Sequence, residues 1–224
     1  MDISIIGTGS IGGTLARNLA RAGHAVAIAN SRGPASLARE IGATAAETAE
    51  AVARAGVLIV SVPVGALPGL GSVVAKHLPA PAIVVDTNNY VPEYRDEHIA
   101  AIDDGLVESL WVEERLRRPV IKAFNTLGAA SLAAKGRPPR DPGRIAAPVS
   151  GDDAAAKRTV IALLDELGFD GFDAADLGQS WRQEPGTPVF TTDLPLDQAR
   201  EAIAAAAREH TAAWRKRMAE ARRS

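Results

Sequence analysis

Residues 3–12 read Ile3-Ser4-Ile5-Ile6-Gly7-Thr8-Gly9-Ser10-Ile11-Gly12. The first four are a short, mostly β-branched run that ends abruptly in glycine, which predicts a strand buried on both faces. Beyond it, Ile11, Leu15 and Leu19 recur every four residues, the stripe of a helix over residues 10–22 that Gly23 would stop. With 20 glycines in the chain, G-x-G-x-x-G alone could arise by chance. Its placement between a buried strand and a helix is what gives it meaning. Gly7 permits the tight turn, Gly9 lets the backbone approach a pyrophosphate, and Gly12 lets helix and strand pack closely. The helix start then offers free N–H groups and a partial positive charge to the phosphates. Gly7, Thr8, Gly9, Ser10, Ile11 and Gly12 are therefore candidate dinucleotide-binding residues.

Working outward, strands are predicted over residues 24–29, 57–62 and 82–86, with Thr44 heading a short one. Helices are predicted over 34–41, 47–55 and 67–77. Alternating elements of these lengths require right-handed crossovers and a parallel sheet covered on both faces. The fold class is α/β, a Rossmann-type doubly wound sheet. The second half is less regular: helices over 108–117, 127–135 and 152–167, and strands over 120–124, 145–150 and 169–172. The acidic pair Asp152-Asp153 would cap the third of these helices. Pro195 would open a long alanine-rich helix running to the C-terminus. Residues 1–125 would form the dinucleotide-binding domain, and residues 126–224 a small α/β extension with a long final helix, packed on the first part.

The end of the second strand bears on cofactor choice. An NAD site usually places Asp or Glu there to accept from the ribose 2′-hydroxyl. Here the residues are Asn30-Ser31-Arg32-Gly33-Pro34. A carboxylate would repel a 2′-phosphate, whereas a hydroxyl and a guanidinium can bind one. Asn30, Ser31 and Arg32 thus point to NADP(H), with Thr8 adding a hydroxyl near the same phosphate. Ligands of open parallel sheets lie outside the carboxyl ends of the strands. Ser61-Val62-Pro63, Thr87-Asn88-Asn89 and residues 122–126, including Asn125, end successive strands and would line the path toward the nicotinamide.

Bulk properties narrow the rest. Of 224 residues, 46% are hydrophobic, enough for a sizeable core. The net charge of −2 argues against nucleic acid as a partner. The chain has no cysteine, which removes disulfides, thiolate nucleophiles and zinc–thiolate sites and suits a reducing cytosol. Met1-Asp2-Ile3-Ser4 does not resemble a secretory signal. Residues 55–75 carry no charge, but Pro63, Pro68 and four glycines interrupt them. A strand, a turn and a helix explain this better than a membrane span, so a cytoplasmic protein without membrane association is expected.

Other candidates weigh less. None of His24, His77, His98 and His210 has a partner at a convincing metal spacing, so no metal is expected. His24 reads as structural, while His98 and His210 read as solvated. Glu93, Asp96 and Glu97 could reach substrate or could form a solvated acidic turn. Trp181, Arg182, Glu184 and Pro185 could close over a flat ring, or Trp181 could anchor the C-terminal part. Arg215-Lys216-Arg217 and Arg222-Arg223 read as a solvated helix end. Hydride transfer needs positioning more than an acid or base, so a missing catalytic dyad does not argue against it.

Taken in order, GTGSIGGTLARNLARAGHAV (7–26), NSRGP (30–34), VPVGALP (62–68), DTNNY (86–90) and KAFNT (122–126) resemble the NADPH-dependent reductases of the deazaflavin coenzyme F420. SGDD (150–153) and SWRQEPGTPV (180–189) are similar to the bacterial branch of that family. The resemblance implies hydride transfer between NADP(H) and the deazaflavin, the two rings stacked in a cleft. It implies Thr8, Ser31 and Arg32 at the 2′-phosphate, with Ser36 where archaeal members carry a basic residue. Val62, Pro63, Thr87, Asn88 and Asn125 would surround the nicotinamide, and the C-terminal part would serve acceptor binding and homodimerisation. The alternatives are an NADPH reductase of a flavin, a quinone, an imine or a ferric chelate, and a non-catalytic NADP(H) sensor.

Overall fold

A computed structural model describes residues 1–36, 42–92 and 94–223 of the chain. Six parallel strands form the main sheet: β1 (Asp2–Ile6), β2 (Ala25–Ala29), β3 (Thr44–Ala45), β4 (Val57–Val60), β5 (Ile83–Asp86) and β6 (Val120–Lys122). Their order is β3-β2-β1-β4-β5-β6, so the chain reverses direction across the sheet between β1 and β4. The expected doubly wound sheet is present, and its switch point lies at the end of the glycine-bearing strand.

Helix α1 (Ser10–Arg21) buries Leu15, Ala16 and Leu19 on one face of the sheet. Each leucine withdrawn from water contributes about 1.5–3 kcal/mol. The opposite face is covered by α2 (Thr48–Ala53), α3 (Leu67–His77) and α5 (Glu108–Leu116), which follows the single-turn α4 (Ala100–Asp103). Residues 55–75 thus fold as strand, turn and helix. No helix among the described residues is long and apolar enough to cross a membrane. Ser4, polar inside an apolar strand, donates to the Ala51 carbonyl at 2.6 Å and so ties β1 to α2.

The second half adds α6 (Ala129–Ala134), β7 (Ala146–Val149), α7 (Ala154–Glu166) and β8 (Asp170–Asp173). Asp153 caps α7, accepting from the Ala155 and Ala156 N–H groups at 2.7 and 3.1 Å. These bonds favour the ionised carboxylate and lower its pKa. Strands β7 and β8 pair in parallel, and Ser150 joins them to the main sheet through reciprocal bonds with Lys122 of 2.8 and 3.0 Å. One apolar core runs from Ile3, Leu15 and Leu19 to Leu163, Leu164 and Phe169, crossing residue 125 without interruption. His24, at the turn between α1 and β2, reaches Glu166 at the end of α7 at 2.7 Å, a second link between the halves.

The C-terminal helix departs from a single unbroken run. It forms α8 (Leu196–Ala204) and the longer α9 (Arg208–Arg223). Helix propensity alone favours continuing through Ala205-Ala206-Ala207. Tertiary contacts override it: Arg182 donates to the Ile203 and Ala206 carbonyls, and the His210 ring accepts from the Ala207 N–H at 3.2 Å. His210 is therefore a helix cap rather than a solvated side chain. Of the predicted helix over 34–41, only the turn Pro34–Ser36 is described. Residues 37–41, Glu93 and the side chains of Arg222 and Arg223 lie outside the described residues.

Candidate functional site

At the switch point the ends of β1, β2 and β4 open into a cleft of about 530 Å³. Gly7, Thr8, Gly9, Asn30, Ser31, Arg32, Ser61, Val62 and Pro63 all line it, and Leu70 and Val73 of α3 form an apolar wall. The three motif glycines have different reasons to be glycine. Gly7 sits at φ +99°, and a β-carbon there would lie 2.0 Å from the Ser61 carbonyl oxygen. A β-carbon on Gly12 would lie 2.0 Å from the Gly7 oxygen. Around Gly9, by contrast, a β-carbon would meet nothing within 4 Å among the described residues. Internal packing accounts for two of the glycines. The third faces open space at the start of α1, whose N-terminus no side chain among the described residues caps.

Ser10 and Ile11 form the first turn of α1 beside this space, and Gly12 is buried beneath it. Ser31 and Arg32 are exposed at the cleft mouth. The Arg32 guanidinium has no acidic partner among the described residues.

Of the five residues expected around the nicotinamide, Val62 and Pro63 line the cleft, whereas Thr87, Asn88 and Asn125 are not among its lining residues. Thr87, Asn88 and Asn125 are buried. Thr87 donates to the Val60 carbonyl at 3.1 Å. Asn125 donates to the Asn89 side chain and the Gln183 carbonyl and accepts from the Gln183 amide at 2.9 Å, so both of its amide protons are spent within the protein. Asn88 is the exception. Its oxygen accepts from the Val62 N–H at 3.0 Å, immediately behind the cleft, while its buried Nδ2 has no partner among the described residues.

Sequence reading missed a buried charged network below this rim. Asp86 and Lys122 pair at 3.1 Å, both almost wholly inaccessible. Asp86 also accepts from the Ser109 hydroxyl and the Asn88 N–H, and Lys122 donates to the Asn88 carbonyl. A signal was available: each charge closes an apolar strand, and β5 and β6 place the two opposite each other in register. Nearby, Arg215 of α9 reaches Glu108 at 2.8 Å and Glu184 at 3.9 Å. Burial, reinforced by the Glu184 carboxylate, pushes the Glu108 carboxyl up to about 8. Burial raises Glu184 as well. Arg215 is therefore an internal counter-ion rather than part of a solvated tail, and a separation of 107 residues left no local trace of the pair.

The segment around Trp181 serves as an anchor. Arg182 and Arg208 lie over the Trp181 ring at 4.4 and 4.8 Å, and Glu184 accepts from the Glu108 N–H. Asp96 is buried and accepts from the Val91 N–H at 2.8 Å, which makes it a loop fastener.

A family model described as NADP oxidoreductase, coenzyme F420-dependent, matches residues 2–90. Protein SMa0349 of Sinorhizobium meliloti, known as a crystal structure without a functional name, is 33% identical. It superposes with a TM-score of 0.74 over 87% of this chain and 95% of its own. A candidate F420-dependent NADP-reductase from Arthrobacter sp. FB24 is 25% identical, with a TM-score of 0.65 over 80% of this chain and 87% of its own. Protein YjhV of Escherichia coli K12 is 35% identical over 77 residues, 34% of this chain; the match spans about half (49%) of YjhV.

Proposed function

Because the chain belongs to the coenzyme F420-dependent NADP oxidoreductase family, we propose that it transfers a hydride between NADP(H) and a flat redox acceptor, coenzyme F420 being that acceptor. The observation that carries this reading is Gly9, a motif glycine with no internal packing reason, facing open space beside an uncapped helix start. A pyrophosphate fits that space, because the backbone can approach it closely and the helix dipole favours its charge.

Thr8, Ser31 and Arg32 then suit the 2′-phosphate, which an Asp or Glu at this strand end would repel. Leu70 and Val73 give the cleft an apolar wall suited to the adenine face. Val62 and Pro63 stand at the nicotinamide end, and the Asn88 side chain holds the Val62 N–H from behind. When bound, NADPH supplies the hydride from its nicotinamide C4. The residues of this chain bind, orient and desolvate, which is what such a transfer requires. Residues 126–224 complete the acceptor site in this reading, with a homodimer as the working assembly in the cytoplasm.

The test is spectrophotometric. Purified protein with NADPH and F420 is expected to bleach the deazaflavin absorbance, and NADH is expected to support this poorly. Tight NADPH binding without bleaching would move the acceptor to a flavin, quinone, imine or ferric chelate. Binding without turnover on any of these would leave an NADP(H) sensor.

A further inference from the structure

Asn30, the residue after β2, makes an unusual set of bonds for a residue at the cofactor's edge. Its Oδ1 accepts from the Arg32 N–H at 2.9 Å and from the Ser36 hydroxyl at 3.1 Å. A backbone N–H can only donate, so the atom facing Arg32 must be the oxygen. The amide nitrogen therefore faces Thr8 and donates to its Oγ1 at 3.2 Å. This fixes the direction of the Thr8 bond. With a lone pair occupied by Asn30, Thr8 keeps its one hydroxyl proton to donate elsewhere, and no acceptor among the described residues takes it. Thr8 and Arg32 line the same cleft, and both present donors there.

We propose that Asn30 is the positioning residue that sets dinucleotide choice in this protein. It acts through Thr8 and Arg32 rather than by touching the phosphate. Donation to Thr8 frees the Thr8 proton for an anionic oxygen. Acceptance from Arg32 and Ser36 holds the turn that carries Ser31 and Arg32. The result is a wall of donors suited to a phosphate monoester. An aspartate of the same shape would keep the Arg32 bond and lose the donor. Thr8 would then have to donate inward, presenting lone pairs and a nearby negative charge to the ligand. This inference rests on the NADP(H) reading above.

The test titrates NADPH and NADH, by their own fluorescence, into wild type, Asn30→Asp, Asn30→Ser, Thr8→Val and the double variant Thr8→Val/Asn30→Ser. Asn30→Asp is expected to weaken NADPH roughly 10–100-fold and NADH less than about threefold, because only NADPH carries the charge affected. Asn30→Ser is expected to weaken NADPH in the wild-type background and much less in the Thr8→Val background, because the two residues act through one bond. Equal losses for both dinucleotides, or an Asn30→Ser cost independent of Thr8, would overturn the proposal and leave Asn30 a turn former. If wild type prefers NADPH and Asn30→Asp keeps that preference, only the positioning role fails. If wild type shows no preference, the 2′-phosphate reading fails and the proposal falls with it.

Discussion

Gly7 and Ser61 meet backbone to backbone: a β-carbon on Gly7 would lie 2.0 Å from the Ser61 carbonyl oxygen. The turn after β1 is thereby pressed against the end of β4, and the cleft floor has no room for a side chain. Two residues along the chain, a β-carbon on Gly9 would meet nothing within 4 Å among the described residues.

The contrast predicts opposite consequences for two small substitutions. Gly7→Ala must relieve both a steric clash and a positive φ, and is expected to cost roughly 3–5 kcal/mol of stability. Gly9→Ala is expected to change stability by less than about 1 kcal/mol while weakening NADPH at least tenfold, since the added methyl occupies the pyrophosphate's approach. Urea denaturation and a binding titration on the same samples separate the two. Unchanged NADPH affinity in Gly9→Ala would refute the assignment of this space.

The buried carboxylates predict a pH dependence of stability. Glu108 is raised from an ordinary 4.5 to about 8, first by burial and then by Glu184. Between these values the unfolded chain releases a proton that the folded chain retains, so stability falls as pH rises through that window. Wild type is expected to lose stability between pH 5 and 8 by this route. Glu184→Gln, which removes the neighbouring charge, is expected to flatten the loss. Denaturant midpoints at both pH values check this, and identical slopes would contradict it.

Tyr90 offers a third test. Its hydroxyl donates to Asp103 at 3.0 Å and accepts from the Ile99 N–H at 2.9 Å. Burial pushes its phenol up to about 12. Tyr90→Phe removes the acceptor of the Ile99 N–H, while Asp103 keeps its bond to His98, and is expected to cost about 1 kcal/mol in a chemical denaturation experiment.

What could be read from sequence follows the range of the interactions. The strand–glycine–helix unit of residues 2–21 is local in both pattern and structure, and so were the order of strands up to β5 and the cap at Asp153. The residue types of Asn30, Ser31 and Arg32 are local and readable, but the bonds that tie Asn30 to Thr8 and Ser36 leave no local pattern. Thr87 and Asn125 follow β5 and β6 in the chain, but which way each side chain turns depends on Val60 and on Gln183, partners that no local pattern reveals. The break between α8 and α9 falls in an alanine run that favours helix, and it exists because Arg182 and His210 satisfy the ends. Arg215 read as solvent-facing for the same reason: its partner Glu108 is distant in sequence and close only once the sheet has formed.

The most direct test of the account is a paired titration of wild type and Arg32→Ala with NADPH and NADH. The account predicts that wild type binds NADPH at least about tenfold more tightly than NADH. Arg32→Ala is expected to remove most of that preference while leaving NADH affinity within about threefold of wild type. Equal affinity of wild type for the two dinucleotides, or an equal loss for both in Arg32→Ala, would contradict it.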